Sequence, residues 1–318
     1  MKIAMVGAPY EETPPLSGAY GGIERVVSWW VKGLLSTGHE VDLYAREGSM
    51  KATRNFNWPH YGQEDQYAAF VYSKLKDNEV DIVIDNTHQK WLGRFPIKNY
   101  IAMLHMEHCP IRKNVVGCSQ NNAWLNDSDV FIHLGVDLDE YKLETNKKDY
   151  LLYLGAIAPH KQVHVAALVA HKLEIPIRIA GPRREGYEDY FDSMISELKP
   201  EEYVGAVGGE EKQELLGGAM ALLWPINWEE PGGTIFFESA ACGTPVIAYR
   251  RGCAPELVED DITGYLVGNP FEMAEAVKKL DKIDPQVVRN RVAERWNLQL
   301  TVERHLEVYQ RVIEGERW

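Results

Sequence analysis

Residues 221–266 read ALLWPINWEEPGGTIFFESAACGTPVIAYRRGCAPELVEDDITGYL. The stretch holds two short apolar runs, at 221–226 and 245–249, whose length and composition are typical of buried parallel strands. Between these runs, a glycine pair precedes an apolar segment of helical length. The order of strand, loop, helix and strand predicts a βαβ unit. In such a unit, the loop after the first strand lies at the edge of the sheet where ligands bind.

The same alternation of apolar runs and helical segments extends along the whole chain. A polar segment at 142–149 interrupts it, and 318 residues suit two cores better than one. We therefore predict an α/β protein of two Rossmann-like domains that face each other across a cleft, formed by residues 1–148 and 149–318. The last helix, at about 300–314, could pack back toward the first domain. Further buried strands are predicted at residues 2–6, 41–45, 81–86, 100–106, 114–119, 130–135, 150–155, 175–181 and 202–207.

Composition and charge disfavour several classes of protein. The 47 acidic residues outnumber the 34 basic ones, and the net charge of -13 disfavours nucleic acid as a partner. The four cysteines lack the spacing of a zinc site and are typical of reduced, buried thiols. No apolar run approaches the ~20 residues of a membrane helix, and the amino terminus enters a strand without the pattern of a signal peptide. We therefore expect a cytoplasmic protein without a transmembrane segment.

Two features of the first half are candidates for ligand binding. The glycine-rich loop at 18–22 ends in Gly21 and Gly22, just before a predicted helix. Backbone N–H groups can approach an anion there, although the spacing suits a plain tight turn equally well. His105 ends a predicted strand, where a structural, hydrogen-bonded histidine is the more frequent case. A metal site formed with the neighbouring Glu and His residues is not favoured, because side chains alternate between the two faces of a strand.

The second half places charged residues after two of its strands. Lys161 follows the strand at 150–155, a position that suits a diphosphate, although a lone surface lysine is a weak signal. Glu230 precedes the predicted helix and could hold sugar hydroxyls. Glu238 lies two turns into that helix, in apolar surroundings, and could accept both hydroxyls of a ribose. The start of the helix can bind phosphate through backbone N–H groups, at Gly232, Gly233, Thr234 and Ile235.

The quoted stretch resembles the signature of family 4 glycosyltransferases of the GT-B fold, E-x-F-G-L-x-x-x-E-A-M-A-x-G-T-P-V-I-A followed by P-E and T-G-x-L-V. Shorter elements of the family, G-G-x-E-x-x-V and G-H-E-V, are similar to residues 21–27 and 38–41. The resemblance therefore covers nearly the whole chain, in order. Residues that match the long signature are Glu230, Gly233, Glu238 and those at 243–248, 255–256 and 263–267.

The resemblance implies a retaining glycosyltransferase that needs no metal or other cofactor. The second domain would bind the nucleotide-sugar donor, with a UDP-sugar favoured and a GDP-sugar next. The first domain would face the acceptor, whose nature the sequence leaves open: a small molecule, a glycan or a lipid-linked molecule. A lipid-linked acceptor would place the protein at the periphery of a membrane.

The resemblance also implies a role for each candidate residue. His105 and Glu230 would be the catalytic residues at the transferred sugar. Glu238 would hold the ribose and Lys161 the diphosphate. The remaining donor contacts would come from Gly21, Gly22, Gly232, Gly233, Thr234 and Ile235.

Two departures from the family pattern bear on the donor. Ala156 stands where the family usually has an arginine of the diphosphate clamp, and Gly232 replaces a phenylalanine. Arg183, Arg184 or His160 could supply the missing charge.

Three other functions stay open at this point. A non-catalytic nucleotide-sugar-binding protein is suggested by Ala156, whereas the presence of both His105 and Glu230 speaks against it. A nucleotide-sugar epimerase of the same architecture lacks the family motif. A Rossmann oxidoreductase is the weakest alternative, because no G-x-G-x-x-G follows the first strand.

Overall fold

The computed structural model describes residues 1–16 and 21–318. They form two compact units, one of residues 1–16, 21–136 and 296–318 and the other of residues 137–295. Each unit contains a six-stranded parallel sheet accompanied by helices, so the predicted α/β class is confirmed.

The strands lie close to the apolar runs of the sequence. In the first unit they are β1 Lys2–Val6, β2 Glu40–Arg46, β3 Arg54–Trp58, β4 Ile82–Asp85, β5 Tyr100–Leu104 and β6 Val115–Gly117. In the second unit they are β7 Leu151–Leu154, β8 Ile177–Ala180, β9 Tyr203–Gly205, β10 Ala221–Trp224, β11 Val246–Tyr249 and β12 Gly264–Val267.

The helices follow the strands in the alternating order that the sequence predicts. In the described ranges, none is both long and apolar enough to cross a bilayer. They are α1 Gly22–Ser36, α2 Glu64–Asp77, α3 Gln120–Trp124, α4 Val163–Lys172, α5 Glu188–Ser196, α6 Gly209–Gly218, α7 Thr234–Ala241, α8 Ala254–Leu257, α9 Pro270–Val277, α10 Pro285–Trp296 and α11 Leu298–Ile313.

Both sheets have the same strand order. It is β3-β2-β1-β4-β5-β6 in the first unit and, in the same sense, β9-β8-β7-β10-β11-β12 in the second. The order reverses direction between β1 and β4 and again between β7 and β10. At such a switch point the loops after the two strands diverge and leave a crevice at the carboxyl edge of the sheet. The loops after β7 and β10 are therefore the expected ligand site of the second unit.

Several strand predictions need correction. The predicted strand at 130–135 is wrong: this segment pairs with β6 only at a bridge between Gly117 and Phe131, and Gly135 then turns the chain with a φ of +70°. The prediction missed β3, whose residues alternate between more and less exposed positions, because it relied on continuous apolar runs. It also missed β12, which has four residues and begins with a glycine.

The structure divides the chain at residues 136 and 137, whereas the sequence analysis placed the boundary at 148 and 149. Lys147 shows why the polar segment belongs to the second unit. Its Nζ donates to the carbonyl oxygens of Gly217 (2.8 Å) and Cys242 (3.2 Å) and to Oγ1 of Thr244 (2.8 Å). Burial lowers the pKa of Lys147 to about 8. The polar residues here satisfy carbonyl groups near the ends of α6 and α7 and do not form a linker.

The carboxyl-terminal helix α11 belongs to the first unit and packs against α1. The helices approach closely at Gly33, where an added Cβ would lie 2.5 Å from Cγ2 of Val302. Nearby, the buried ring of His305 lies 4.3 Å from the ring of Trp30 and 3.3 Å, through Nδ1, from the hydroxyl of Tyr309. Burial lowers the pKa of His305 to about 3, so this imidazole is neutral in the folded protein.

We predict that His305 makes the protein less stable as the pH falls below its ordinary pKa of 6.5. The unfolded chain takes up a proton on this imidazole near pH 6.5, whereas the folded protein does not until about pH 3. Its contribution to stability is intact above pH 6.5 and is lost progressively toward pH 3. The loss between about pH 7 and pH 5 is about 2 kcal/mol. Urea unfolding at the two pH values measures this loss. The free energy of unfolding should fall by about 2 kcal/mol less in His305→Phe than in the wild type.

The control is His60→Phe, which replaces an exposed imidazole with the same side chain. It should keep the acid sensitivity of the wild type. If His305→Phe and wild type lost equal stability between the two pH values, the prediction would be wrong.

Candidate active site

The loops after β7 and β10 meet through an ion pair. Lys161 lies in a 3-10 turn, Pro159–Lys161, and its Nζ is 2.6 Å from Oε2 of Glu230. The indole N–H of Trp228 donates to the same carboxylate oxygen over 2.9 Å. The ammonium also lies over the rings of Trp228 (4.6 Å) and Trp224 (5.3 Å). Both charged side chains are largely buried, so the switch point of this sheet holds a cation and an anion in direct contact.

The amino terminus of α7 lies in the loop that follows β10. Its N-cap, Gly233, has a left-handed conformation with a φ of +56°, which favours glycine. An added Cβ would also lie 2.5 Å from Cδ2 of Phe236 and 2.9 Å from Sγ of Cys253. Gly232 and Ile235 are buried beside this cap, and Thr234 is the first helical residue. First-turn N–H groups lack intrahelical partners, and the helix dipole makes this end electropositive, which suits an anion.

Glu238 lies on α7 and is 3% exposed. Its Oε1 accepts hydrogen bonds from the hydroxyl of Tyr141 (2.8 Å) and from Nζ of Lys212 on α6 (2.5 Å). Burial raises the pKa of the neighbouring Cys242 to about 12, and the negative charge of Glu238 adds to that shift. The carboxylate is therefore paired and hydrogen-bonded and is not a solvated helix charge.

The second unit thus brings Lys161 and Glu230 together in the loops after β7 and β10, and the second of these loops leads into α7, which carries Glu238. Sequence reasoning missed Trp228, although a tryptophan two positions before Glu230 was a visible signal. It also missed Lys212 and Tyr141, and no motif in the sequence points to either.

The two arginines proposed to replace the missing clamp charge behave differently. The loop after β8 runs beside the loop after β7, where Ile157 and Arg183 form a parallel bridge. The guanidinium of Arg183 lies 3.5 Å from Asp192 and over the ring of Phe191 at 5.4 Å. Arg183 is therefore directed toward α5.

Arg184, in contrast, contributes to the electrostatic environment of His160, in the loop that carries Lys161. Burial, the charge of Lys161 and then the charge of Arg184 lower the pKa of His160. The ring of His160 also contacts the rings of Trp228 (5.4 Å) and Tyr187 (6.0 Å). The charge of Arg184 thus reaches the neighbourhood of the Lys161 ion pair.

In the first unit, His105 follows β5 directly. Its Nε2 is 2.9 Å from Oδ1 of Asn86, and its Nδ1 is 3.5 Å from Sγ of Cys118. The amide nitrogen of Asn86 donates to the carbonyl of Val6, which leaves its oxygen to accept from His105. Burial lowers the pKa of His105 well below its usual value, and the charge of Lys90 adds to this effect. His105 is therefore a neutral imidazole that carries its proton on Nε2.

The glycine loop is described only in part. Gly21 caps α1 and Gly22 begins it, whereas Gly18, Ala19 and Tyr20 lie outside the described residues. Burial raises the pKa of Glu24, in the first turn of α1, to about 7. Near neutral pH this carboxyl is partly protonated, which reduces its repulsion of an anion at the helix start.

A buried polar network holds the loop after β4. Tyr100 and Thr87 donate through their hydroxyls to the carboxylate of Asp85, over 2.6 and 2.7 Å. Lys90, which is 1% exposed, donates to the carbonyl oxygens of Asp85 and Thr87. Hydrogen bonds within the segment therefore hold its conformation.

Among residues 1–16 and 21–318, no three His, Cys, Asp or Glu side chains lie close enough together to hold a metal ion.

Comparisons with known proteins define the class. Residues 137–291 match the family model described as glycosyl transferases group 1. The structure is similar to that of AviGT4, a glycosyltransferase involved in avilamycin A biosynthesis, with a TM-score of 0.84 and 28% identity over 100% of this chain and 99% of that one. Anabaena HepE, solved in complex with UDP and glucose, shares the fold with a TM-score of 0.72 and 19% identity over 98% of this chain and 99% of its own.

Curated relatives align less completely. Spore coat protein SA of Bacillus subtilis (strain 168) is 20% identical over 88% of this chain and 90% of its own length. A D-inositol 3-phosphate glycosyltransferase of Mycobacterium sp. (strain KMS) is 29% identical over 47% of this chain, and that alignment spans 38% of the relative.

Fold and matches together identify this chain as a glycosyltransferase of the GT-B fold. More particularly, residues 137–291 form a group 1 glycosyltransferase domain, and that domain contains the Lys161–Glu230 pair.

We predict that Glu230→Gln binds bare UDP or GDP more tightly than the wild type does. In the unliganded protein Glu230 neutralises Lys161, so a diphosphate must compete with this carboxylate for the ammonium. A hydrogen bond to a charged group contributes about 1.5–3 kcal/mol, so we expect a gain of roughly ten- to a hundredfold. Calorimetric titration measures it.

Glu229→Gln is the matched control. It removes the same charge one position away, where the carboxylate contacts Arg251 (3.8 Å) and the N–H of Gly252 (2.8 Å). Its affinity should change by less than about twofold, as for most surface charges. An equal or smaller gain in Glu230→Gln than in this control would show that Glu230 does not compete for Lys161.

Proposed function

We propose that this protein is a retaining, metal-independent glycosyltransferase of family 4 that transfers a sugar from a nucleotide-sugar donor to an acceptor. The observation that carries the proposal is the Lys161–Glu230 ion pair, which lies near the amino terminus of α7. Cation and helix terminus form a site for a diphosphate, and the carboxylate is placed for sugar hydroxyls.

The proposal assigns each described residue a task. Lys161 and the first turn of α7, from Gly232 to Ile235, bind the diphosphate. Glu238 binds the ribose and Glu230 the transferred sugar. In the first unit, Gly21 and Gly22 supply N–H groups to the donor, and His105 acts at the transferred sugar.

In the proposed reaction, no protein side chain forms a covalent bond to the sugar. The bond from the anomeric carbon to the donor phosphate breaks, and the acceptor oxygen forms a bond to that carbon on the same face. The acceptor proton goes to the departing phosphate, so no protein nucleophile is needed. Positive charge at Lys161 and the α7 terminus stabilises the leaving diphosphate, which is the task a metal would otherwise perform. His105, neutral and protonated on Nε2, can serve as a hydrogen-bond donor near the sugar.

We propose a UDP-sugar as the donor, with a GDP-sugar next. HepE, which shares the fold, was solved with UDP and glucose, and UDP is therefore the first nucleotide to test. The acceptor is a small molecule, a glycan or a lipid-linked molecule. We place the protein in the cytoplasm, or at the periphery of a membrane for a lipid-linked acceptor, because all four cysteines are buried free thiols.

A non-catalytic nucleotide-sugar-binding protein is the second candidate, favoured by Ala156. This residue is 4% exposed, and its carbonyl oxygen accepts a hydrogen bond of 3.1 Å from the hydroxyl of Tyr153. A buried methyl group thus replaces one cation of the clamp that the family resemblance implies.

A donor hydrolysis assay separates the two candidates. UDP-sugars and GDP-sugars are incubated with the protein, with and without EDTA, and released nucleoside diphosphate is measured. We predict that turnover is the same with and without EDTA. His105→Ala should lower kcat at least tenfold. Glu238→Gln should weaken donor binding roughly ten- to hundredfold. Loss of turnover in EDTA that manganese restores would refute metal independence.

The control for His105→Ala is His108→Ala, because this neighbouring imidazole is exposed. It should behave as the wild type.

Donor binding without any turnover would support the non-catalytic candidate. Nuclear magnetic resonance of the released or transferred sugar tests retention, since inversion of the anomeric centre would exclude it.

We further propose that Arg184, and not Arg183, supplies the second cation for the diphosphate. We predict that Arg184→Ala weakens UDP or GDP binding about tenfold, whereas Arg183→Ala changes it by less than about twofold. Ala156→Arg in the Arg184→Ala background should restore part of the loss, with the melting temperature confirming that the variant folds. Equal effects of the two Arg→Ala variants would contradict this assignment.

A further inference from the structure

Glu238 is a charged group in an apolar place. It is 3% exposed on a helix whose neighbouring residues Phe236 and Phe237 are also buried. An ionised carboxylate in such surroundings is costly unless a cation or hydrogen bonds compensate it. Lys212 and Tyr141 provide that compensation.

Both partners bind the same oxygen. Nζ of Lys212 lies 2.5 Å from Oε1 of Glu238, and the Tyr141 hydroxyl lies 2.8 Å from it. Neither of these two contacts uses Oε2. Two donors on one oxygen fix the rotation of the carboxylate about its last bond and thereby fix the direction in which Oε2 points.

The two partners are themselves held in place. Arg289 donates to the carbonyl of Tyr141 over 2.8 Å and to that of Leu138 over 3.1 Å, which braces the turn that carries Tyr141. Lys212 lies on α6, and its side chain is only 13% exposed. The carboxylate of Glu238 is thus oriented by side chains from two other segments of the unit.

We infer that Lys212 and Tyr141 are positioning residues that set Glu238 to accept the ribose hydroxyls of the donor, so that the protein selects ribonucleotides over 2′-deoxyribonucleotides. The inference rests on the proposed function. A ribose diol offers two O–H donors, and an ionised, oriented carboxylate can accept both. A 2′-deoxyribose offers one fewer donor, so one hydrogen bond to the carboxylate is not made. A binding site built to hydrogen-bond a hydroxyl binds an analogue without that hydroxyl much more weakly.

The test measures a ratio of affinities. Calorimetry or thermal shift compares UDP with 2′-deoxy-UDP, and GDP with 2′-deoxy-GDP, in the wild type and in variants. The wild type should prefer the ribonucleotide by at least about tenfold. Lys212→Met should lower this preference to less than about threefold, because the carboxylate loses both its counter-charge and its fixed orientation. Lys212→Arg should largely retain it.

A merely structural role for Lys212 predicts a different result. A general loss of folding stability would weaken the ribonucleotide and the deoxyribonucleotide equally and would leave their ratio unchanged, which would overturn the inference. Lys142→Met is the matched control. The backbone N–H of Lys142 donates to Gln213, next to Lys212, but its own side chain is exposed. This variant should keep the wild-type ratio.

Tyr141→Phe keeps the inference testable if Lys212→Met does not fold. It removes one of the two bonds to Oε1 and leaves the charge pair, so the preference should fall by about threefold. An unchanged ratio in Tyr141→Phe then overturns the inference.

Failure of the inference and failure of the proposed function give different results. A wild type that binds none of the four nucleotides would refute the donor site and this inference with it. A wild type that binds UDP or GDP as tightly as the 2′-deoxyribonucleotides would refute only the recognition of the ribose hydroxyls by Glu238.

Discussion

The parallel pairing of β7 with β10 is the constraint on which the candidate site depends. Leu151 lies on β7 and Leu222 lies on the adjacent strand β10, although the two residues are far apart in the chain. Because the strand order reverses at this pair, the loops after the two strands diverge and leave room at the carboxyl edge. Lys161 and Glu230, 69 residues apart in sequence, meet there. The sheet therefore positions the ion pair.

Charges in the second unit are matched before any ligand arrives. Lys161 pairs with Glu230, and Lys212 pairs with Glu238, in each case with both side chains largely buried. A buried charge without a partner is costly, so these pairs make the unliganded site stable. They also imply that an anionic ligand must displace the glutamate from the lysine that it pairs with, because the lysine is already neutralised in the unliganded protein. In the donor site proposed above, this exchange would moderate the affinity and would link binding of the diphosphate to release of the carboxylate that is assigned to the sugar.

Much of the architecture could be predicted because buried parallel strands are continuous apolar runs. The strands at 2–6, 221–224 and 246–249 were visible in this way. β3 escaped detection because its residues alternate in burial, and the apolar run at 130–135 is buried without joining the sheet beyond one bridge. The polar segment around Lys147 looked like a linker because the sequence shows only that its side chains are polar. It does not show that Lys147 donates hydrogen bonds to carbonyl groups of distant residues.

Local pattern and side-chain type were enough to predict the α/β alternation, the glycine cap at Gly233 and the chemistry of Lys161, Glu230 and Glu238. Which of these groups contact one another depends on the folded arrangement of the strands and helices. It paired Lys161 with Glu230, directed Arg183 toward Asp192, and set Lys212 and Tyr141 on one oxygen of Glu238. The physical reason is that hydrogen bonds and ion pairs act over about 3–4 Å, and only the packing of strands and helices brings residues distant in sequence within that range.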